Sequence, residues 1–185
     1  MNGNPFELES AIYYSKNIER ILEKSYLGVR NMLSNLLKPA FVQLDIDAVD
    51  FEDAIKKSTK PLLDDGAIKS EYIDEIVTVY KELGPYIVIT PGIALPHAPS
   101  AAGSVSLGIG FTRLKKAVKS GHQTNDPVKF LFPLSAPDNQ SHINALSDLA
   151  RLLSNDEFVT ELGKVKNNKE FYELIKMYEG EIYDA

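Results

Sequence analysis

Hydrophobic and polar positions alternate along several short stretches of the chain, and this period of two is typical of β-strands. Apolar side chains alternate with polar ones over residues 42–46, which predicts a half-buried strand. The same alternation over residues 104–112 predicts a single strand. Its second face consists of serine, glycine and threonine and is bare enough for another element to pack closely. The mostly apolar run at residues 128–132 predicts a strand that is buried on both faces.

Apolar residues that recur every three or four positions predict helices between these strands. Residues that favour a helix start precede the stripes, and glycine or proline follows several of them. The predicted helices are capped by Asp50, Ser70 and Ser141, span residues 156–162, or begin at Asn167 or Asn168. Pro61 should divide the first of them from a short turn that closes at Gly66. Because strands and helices alternate throughout, the pattern indicates an α/β domain in which helices pack against a sheet.

The first 38 residues carry a wide apolar stripe at helical spacing that ends at Leu37. Pro39 should stop this helix, because proline lacks the backbone N–H that the next turn needs. The sequence therefore predicts a helical extension at residues 1–38, ahead of a domain at residues 39–185. Packing on the chain's own domain is the preferred interpretation, since amphipathic helices usually serve their own core. The alternative is an interface helix that pairs two copies of the chain as a homodimer.

Composition narrows the range of functions. The 185 residues carry a net charge of −6, which argues against nucleic acid as a partner because phosphate recognition needs a basic surface. Lys115, Lys116 and Lys119 predict a solvated, turn-like basic segment. No apolar run approaches the roughly 20 residues that span a bilayer, and no basic and apolar leader follows Met1. The sequence contains no cysteine, so it offers no thiolate for catalysis or metal binding. We therefore expect a cytoplasmic protein that does not itself span the membrane.

His97 is the main candidate for chemistry because of the place to which the pattern delivers it. A β-prone run at residues 86–90 leads through Pro91-Gly92 into a second apolar run that stops at Pro96. Proline cannot donate to a sheet ladder, so Pro96 should end the strand and hold His97 at the tip of a rigid element. For a single residue considered alone, a histidine that happens to lie in a loop is the simpler interpretation.

Two further histidines occur, and one of them strengthens this candidate. His142 lies in the first turn of the helix predicted to begin at Ser141, whereas His122 lies in a polar turn and is predicted to be exposed. Helix N-termini favour anions through their unpaired N–H groups and partial positive charge. A neutral imidazole can accept a phosphoryl group, and a phosphoryl on His97 near this helix start would meet His142 and backbone donors. Taken alone, His142 is more simply explained as a buried histidine bonded to a backbone carbonyl.

Motifs of metal and cofactor chemistry are weak or missing. Two histidines without a third ligand at usable spacing do not make a zinc site. The sequence has neither the glycine-rich loop of nucleotide hydrolysis nor the nucleophile elbow of serine hydrolases. Gly108-Ile109-Gly110 lacks the third glycine of a dinucleotide site. We expect neither a cofactor nor a metal ion.

The run Ile93-Ala94-Leu95-Pro96-His97-Ala98 resembles the phosphorylation signature of a known family. The family is that of the enzyme IIA components of bacterial sugar phosphotransferase systems, of the mannitol/fructose type, and the acidic Glu82 upstream also fits. The likeness extends from about Phe41 to the C-terminus and includes the Ser141-His142 helix start, where the family carries its second active-site histidine. Three further runs look closest to the ascorbate-like branch: Gly84-Pro85-Tyr86, Pro91-Gly92 and Asn125-Asp126-Pro127-Val128.

The resemblance implies a phosphotransferase that works through a phosphohistidine at His97, formed on a ring nitrogen expected to be Nε2, with His142 stabilising the phosphoryl group. The phosphoryl would come from the phosphohistidine of the carrier protein HPr and pass to a cysteine of a IIB component, which drives sugar uptake. Because the chain has no cysteine and no membrane span, the IIB and membrane IIC components are expected to be separate polypeptides. The implied fold is a mixed sheet of parallel and antiparallel strands with helices on both faces.

Two features depart from the resemblance. Thr90 stands where the signature usually has glycine or alanine, and we expect this strand end to accommodate threonine. Residues 1–38 precede the region of likeness and are not explained by it. The alternative function is that of a regulatory IIA-like protein, in which a partner reads the phosphorylation state of His97. The transported sugar cannot be read from this sequence, because the membrane component binds it.

Overall fold

A computed structural model describes residues 33–183 of the chain. The predicted N-terminal helix therefore lies outside the described residues except for its last turn. Two sheets are built from strands β1 (Val42–Ile46), β2 (Val88–Thr90), β3 (Ile93–Ala94), β4 (Gly108–Ile109), β5 (Phe111–Val118), β6 (Val128–Leu131) and β7 (Leu134–Ser135). The helices are α1 (Leu33–Leu36), α2 (Phe51–Asp64), α3 (Ser70–Leu83), α4 (Asn139–Leu153), α5 (Asp156–Leu162) and α6 (Asn168–Tyr183), with short 3₁₀ turns at Pro39–Phe41 and Ser100–Ala102.

The main sheet has five strands in the order β1-β5-β6-β3-β2. Strand β1 runs parallel to β5 and β3 runs parallel to β6, whereas β5 pairs with β6 and β2 pairs with β3 in the antiparallel sense. Strands β4 and β7 form a separate antiparallel pair. The sheet is therefore mixed, as predicted.

Helices cover both faces of the main sheet. Helices α2 and α3 bury Ile55 and Ile76 in one hydrophobic cluster, together with residues of β5 and β6. Helices α1, α4, α5 and α6 bury their apolar stripes in a second cluster on the other face, which contains Leu149 and Phe171. Leu33 of α1 is only 1% exposed, so the last turn before Pro39 belongs to this core. The α/β architecture expected from the sequence is confirmed.

Local signals predicted several element boundaries correctly. Asp50 caps α2 by accepting a hydrogen bond from the backbone N–H of Asp53 at 2.8 Å. Helix α5 spans the predicted residues 156–162, and α6 begins at Asn168. Leu83 continues the helical spacing of the apolar residues of α3, but it is 71% exposed at the end of that helix. The stripe of α3 therefore leaves the core in its last turn.

The single strand predicted over residues 104–112 is wrong. The chain forms β4, breaks at Gly110 and continues as β5 in the other sheet, while Val105 stays exposed. A side chain at Gly110 would place its Cβ 2.8 Å from the Pro133 ring, so the bare face does allow a close approach of another element. Lys115 and Lys116 lie within β5, so the basic segment is a strand and not a turn.

Pro61 does not divide the helix that begins after Asp50. Helix α2 continues through Pro61 to Asp64, although proline cannot donate to the carbonyl of Lys57. The side-chain amide of Gln43, on β1, donates to that carbonyl at 2.9 Å and supplies the missing partner. A residue from a distant strand thus satisfies the acceptor that proline leaves open.

Two predicted helix caps are also wrong. Helix α3 includes Ser70, and its N-cap is Lys69, whose side chain makes no capping bond. The backbone N–H of Lys69 donates to Gly103, so a tertiary contact fixes the entry into this helix. Helix α4 begins before Ser141, because Asp138 caps it and accepts from the backbone N–H of Ser141 at 2.9 Å. Aspartate is a strong N-cap, and it takes this role three residues before the predicted serine.

Candidate active site

The β2–β3 hairpin delivers His97 to the end of the sheet. Gly92 adopts a φ of +76° in the tight turn, and its N–H donates to the Asn125 carbonyl at 2.8 Å. Strand β3 then runs parallel to β6, and the pairing continues past its end because the N–H of Leu134 donates to Pro96 at 2.9 Å. Pro96 is buried and His97 is half-buried immediately beyond it. Backbone hydrogen bonds on both sides therefore fix the segment that carries the imidazole.

The Nδ1 atom of His97 lies 2.7 Å from the backbone carbonyl of Leu95. A carbonyl can only accept a hydrogen bond, so Nδ1 carries the proton in this contact. In the neutral ring, Nε2 then holds the free lone pair. Burial lowers the pKa of His97 from its ordinary 6.5 to about 4. The bond to Leu95 acts in the opposite direction, and nearby His142 lowers the pKa further. The imidazole is therefore neutral at neutral pH and offers Nε2 as a nucleophile.

His142 lies beside His97, as the sequence predicted if the two segments pack together. The two imidazole ring centres are 5.1 Å apart, and the planes meet at 78° in an edge-to-face arrangement. The Nε2 atom of His142 is buried and makes no hydrogen bond within the part of the chain that the structure describes. Burial also lowers the pKa of His142. A buried imidazole nitrogen without a partner, next to a nucleophilic imidazole, is suited to bind a group attached to its neighbour.

The helix start near His142 offers fewer backbone donors than expected. The N–H of Ser141 donates to the Asp138 side chain, and the N–H of His142 donates to the Asp138 carbonyl at 3.1 Å. The Ser141 hydroxyl also donates to the Asp138 carboxylate. These hydrogen bonds lower the pKa of Asp138, so this cap is ionised at neutral pH. These two backbone N–H groups are therefore already paired within the protein and are not free to bind an anion.

Two tyrosines near His97 were missed in the sequence. The Tyr86 hydroxyl donates to the His97 carbonyl at 3.1 Å, and its ring meets the His97 ring edge to face at 5.9 Å between centres. The Tyr72 hydroxyl donates to the carbonyl of Ala98 at 2.9 Å. Tyr72 stands one helical turn before Ile76 in an apolar stripe, where a buried phenol needs a hydrogen-bond partner. The need of a buried phenol for a hydrogen-bond partner is the signal that the sequence offers, but it does not identify that partner.

His122 is not brought to the site. Its Nδ1 atom accepts from the backbone N–H groups of Thr124 and Asn125, at 3.3 and 3.1 Å, and so closes its own turn. That turn contacts Gly92, at the opposite end of β3 from His97. The residue is half-buried, so the prediction of an exposed histidine is wrong.

Two further residues of the signature lie outside this pair. Glu82 is exposed in the last turn of α3. Thr90 ends β2 as a half-buried residue opposite Ile93, and the hairpin forms around it. Among residues 33–183, no group of three or more histidine, aspartate or glutamate side chains could hold a metal ion. No helix in the same range is long and apolar enough to cross a membrane.

Comparison with protein families identifies the class to which this site belongs. Residues 35–178 match the family described as "Phosphoenolpyruvate-dependent sugar phosphotransferase system, EIIA 2". The chain belongs to this family of sugar phosphotransferase system IIA components. The match covers His97 and His142 and begins inside α1, which contributes Leu33 to the core.

Individual relatives are similar over most of their length. A mannitol-specific cryptic phosphotransferase enzyme IIA component of Escherichia coli (strain K12) is 32% identical over 143 residues, which cover 77% of this chain and 97% of that protein. An ascorbate-specific PTS system EIIA component of the same organism is 27% identical over 135 residues, which cover 72% and 88%. The relatives therefore include both mannitol-specific and ascorbate-specific components.

Solved structures agree with the fold. The solution structure of the mannitol-specific cryptic enzyme IIA from Escherichia coli superposes with a TM-score of 0.72 at 32% identity, covering 78% of this chain and 98% of that one. The Escherichia coli mannitol enzyme IIA, in complex with phosphorylated enzyme IIB, gives a TM-score of 0.67 at 22% identity, covering 76% of this chain and 96% of that one. At this lower identity, the second comparison shows the fold alone.

Proposed function

We propose that this chain is the IIA phosphocarrier of a bacterial sugar phosphotransferase system, acting through a phosphohistidine at His97. Phosphohistidine on HPr donates the phosphoryl group, and a cysteine on a IIB component receives it for sugar uptake. The observation that carries the proposal is the 2.7 Å contact between His97 Nδ1 and the Leu95 carbonyl. It lies beside the buried Nε2 of His142, which has no hydrogen-bond partner among residues 33–183. Family membership supports the phosphocarrier role.

The Leu95 contact selects the reacting nitrogen. With the proton held on Nδ1, the lone pair of His97 Nε2 attacks phosphorus as the N–P bond of phospho-HPr breaks. The donor imidazole regains its lone pair, so no water or further reactant is consumed. The hydrogen bond from Nδ1 to Leu95 then stabilises the positive charge that develops on the phosphorylated ring.

His142 is proposed to stabilise the phosphoryl group. Its ring lies edge to face with that of His97, and its buried Nε2 lacks a partner among the described residues. In the tautomer with a proton on Nε2, this atom donates to a phosphoryl oxygen on His97. A donor already in place needs little rearrangement as charge shifts during transfer, and this positioning is what phosphoryl-transfer sites mainly supply.

The final acceptor is proposed to be a IIB component outside these 185 residues. These 185 residues contain no cysteine, so the thiol that takes the phosphoryl group lies outside them. The solved complex of mannitol enzyme IIA with phosphorylated enzyme IIB, whose IIA shares this fold, supports an assembly of this kind. The His97 N–P bond breaks as the cysteine sulfur bonds to phosphorus.

Labelling with radioactive phosphoenolpyruvate, enzyme I and HPr tests this proposal. We expect the wild-type chain to be labelled on histidine and His97→Ala to take up no label. His122→Asn is the matched control, because the asparagine oxygen can replace the Nδ1 acceptor of that turn, and it should be labelled normally. Labelling of His97→Ala at the wild-type level would rule out the assignment.

The onward step separates transport from the regulatory alternative. When a cysteine-bearing IIB component is added, a transport phosphocarrier loses its label to the IIB thiol. A regulatory protein keeps the label on His97 and changes its affinity for another partner. Neighbouring genes for IIB and IIC components would add support for the transport role.

The helical extension at residues 1–38, its boundary with the domain and its role in a homodimer stay predictions. Since Leu33 and Leu37 are buried in the domain core, a truncation that spares this core must begin at Leu33. Light scattering of the full chain and of residues 33–185 tests the role in assembly. An unchanged number of chains per particle after truncation would rule out pairing through residues 1–32.

A further inference from the structure

Tyr72 is a buried residue with no role in the phosphoryl transfer proposed above. It lies in the third residue of α3, with 1% of its surface exposed. Its ring packs in the apolar cluster between α3 and the sheet, whereas its hydroxyl reaches the loop that follows His97. A phenol buried this deeply needs hydrogen-bond partners, and the identity of those partners is informative.

The hydroxyl of Tyr72 contacts the residue after His97 and the strand that leads to the helix of His142. It accepts from the N–H of Ala98 at 3.1 Å and lies 2.9 Å from the carbonyl oxygen of the same residue. It also lies 2.9 Å from the carbonyl oxygen of Leu134, the first residue of β7. A hydroxyl has a single hydrogen, so the two carbonyls share it.

Leu134 connects this contact to His142. Its N–H donates to Pro96, immediately before His97, at 2.9 Å. Its carbonyl shares the Tyr72 hydroxyl with Ala98, immediately after His97. Strand β7 continues within three residues to Asp138, the cap of α4, and His142 lies in the first turns of that helix. A shift of Leu134 relative to Ala98 would therefore move the two imidazoles relative to each other.

We propose that Tyr72 is a positioning residue for phosphoryl transfer, because its single hydroxyl ties the chain after His97 to the strand that leads to His142. The inference rests on the proposed function of these histidines. Tyr72 touches neither imidazole in the contacts of its hydroxyl, so it acts through the backbone and sets the spacing of the two rings.

The protonation state of Tyr72 is compatible with this role. Burial raises the pKa of its hydroxyl, so the hydrogen that the carbonyls share is present at neutral pH. Tyr86 holds the other side of the same loop, since its hydroxyl donates to the His97 carbonyl at 3.1 Å. The loop is thus fixed at two consecutive residues by two tyrosines.

Tyr72→Phe removes the hydroxyl and keeps the ring, and Tyr80→Phe is its matched control. Tyr80 lies on the same helix, and its hydroxyl donates to the Ser120 carbonyl at 2.9 Å. We expect Tyr72→Phe to lower kcat for phosphoryl uptake at least about 10-fold, with KM for phospho-HPr changed less than about twofold, because misplacement of reacting groups slows the step more than it weakens binding. Tyr80→Phe should leave both values unchanged.

A wild-type kcat in folded Tyr72→Phe, or an equal loss in Tyr80→Phe, overturns the proposal. Nuclear Overhauser contacts between the two histidine rings provide a readout that is independent of phosphorylation. They should weaken in Tyr72→Phe and persist in Tyr80→Phe; persistence in both also overturns the proposal. If the wild-type chain accepts no phosphoryl group, the proposed function fails while this ring measurement still decides the positioning role.

If Tyr72→Phe does not fold, hydrogen exchange of the wild-type chain decides. The amide of Ala98 should exchange as slowly as the amides of the sheet core, because the Tyr72 hydroxyl accepts its hydrogen bond. An Ala98 amide that exchanges like that of a free loop would contradict the proposal.

Discussion

At the scale of single residues, the environment of His97 fixes both its charge and its reactive atom. Burial disfavours the charged ring, and this effect exceeds that of the Leu95 carbonyl, which favours it, so the pKa falls to about 4. The same carbonyl selects the tautomer, because it accepts only from a protonated Nδ1. A single backbone contact therefore leaves Nε2 as the ring nitrogen with the free lone pair.

The lowered pKa of His97 predicts a loss of stability in weak acid. Its pKa is about 4 in the folded chain and 6.5 in the unfolded chain, so between these values the unfolded chain binds a proton that the folded chain does not. The contribution of His97 to the free energy of unfolding is therefore fully present above about pH 6.5. It falls by about 3 kcal/mol as the pH approaches 4. Urea unfolding at several pH values checks this, and His97→Gln should reduce the dependence.

Burial lowers the pKa of His142 as well, so His142 contributes to the same acid sensitivity. The His97→Gln protein should therefore retain part of the pH dependence. A nuclear magnetic resonance titration of the imidazole protons assigns each contribution. A His97 signal that titrates near 6.5 in the folded chain contradicts this explanation, as does an identical pH dependence in both proteins.

Removal of the second imidazole should slow transfer without unfolding the chain. We expect His142→Ala to fold and to accept phosphoryl from phospho-HPr about 10-fold or more slowly, because the donor to the phosphoryl oxygens is lost. His142→Gln should recover part of the rate, since its amide can donate from a similar position. Rapid-quench labelling measures both rates. An unchanged rate in His142→Ala would assign His142 a purely structural role.

At the scale of elements, α2 depends on β1 at the position of Pro61. The helix lacks one internal hydrogen bond there, and Gln43 donates to the Lys57 carbonyl in its place at 2.9 Å. Its amide also donates to the Thr112 hydroxyl at 3.1 Å, which links the helix to β5. The helix and the sheet are therefore joined at the residue that would otherwise weaken the helix.

A double-mutant cycle between Gln43 and Pro61 measures this dependence. We expect Gln43→Ala to lower the free energy of unfolding by about 1 kcal/mol in the wild-type background, because the part-buried Lys57 carbonyl loses its donor. In a Pro61→Ala background the loss should be smaller, since the new backbone N–H can donate to Lys57. Equal losses in the two backgrounds contradict the explanation. Lys60→Ala, at an exposed neighbouring position, serves as the control and should show no coupling with Gln43→Ala.

Local sequence signals predicted most of the elements but not the exceptions. Asp50 caps α2, and residues 156–162 form α5, because a cap and an apolar stripe are read within a few neighbouring residues. The continuation through Pro61 was missed, because its donor comes from Gln43 on another strand. The cap of α4 was placed at Ser141, although Asp138 lies three residues earlier and competes for the same role.

At the scale of the whole molecule, the chain crosses twice between the two sheets, and the two crossings meet at one close contact. The chain passes from β4 to β5 at Gly110 and from β6 to β7 near Pro133, and the Gly110 N–H donates to the Pro133 carbonyl at 2.8 Å. Only a residue without a side chain fits there, because a Cβ would lie 2.8 Å from the proline ring. The position of β7, which leads to His142, depends on this crossing.

Gly110→Ala should therefore destabilise the whole domain. We expect a loss of about 1–3 kcal/mol in the free energy of unfolding, since backbone or Pro133 must move to admit the methyl group. Gly180→Ala is the control, because its Cβ would meet no atom within 4 Å and its helical position favours alanine. Thermal unfolding of both variants checks the difference. A Gly110→Ala protein as stable as Gly180→Ala contradicts the crossing contact.

The candidate site was predictable because much of it is encoded locally. Pro96 places His97 beyond a strand, and the run from Ile93 to Ala98 carries the family signature, so one histidine and its class of chemistry follow from adjacent residues. The second histidine was recognised from its place near a helix start. The tyrosine contacts were not predictable, because α3, the turn before β2 and the histidine loop meet only in the folded chain.

The sequence by itself determined the α/β class, most helices and strands, and the prediction that His97 and His142 act together. These properties depend on periodicity, caps and a short signature, which are interactions between near neighbours along the chain. Tertiary structure decided which nitrogen of His97 is free, how α2 tolerates Pro61 and where the strand divides at Gly110. It also decided which backbone groups the buried Tyr72 hydroxyl binds. Each of these depends on hydrogen bonds or close contacts whose geometry only the folded chain defines, and most of them join residues far apart in sequence.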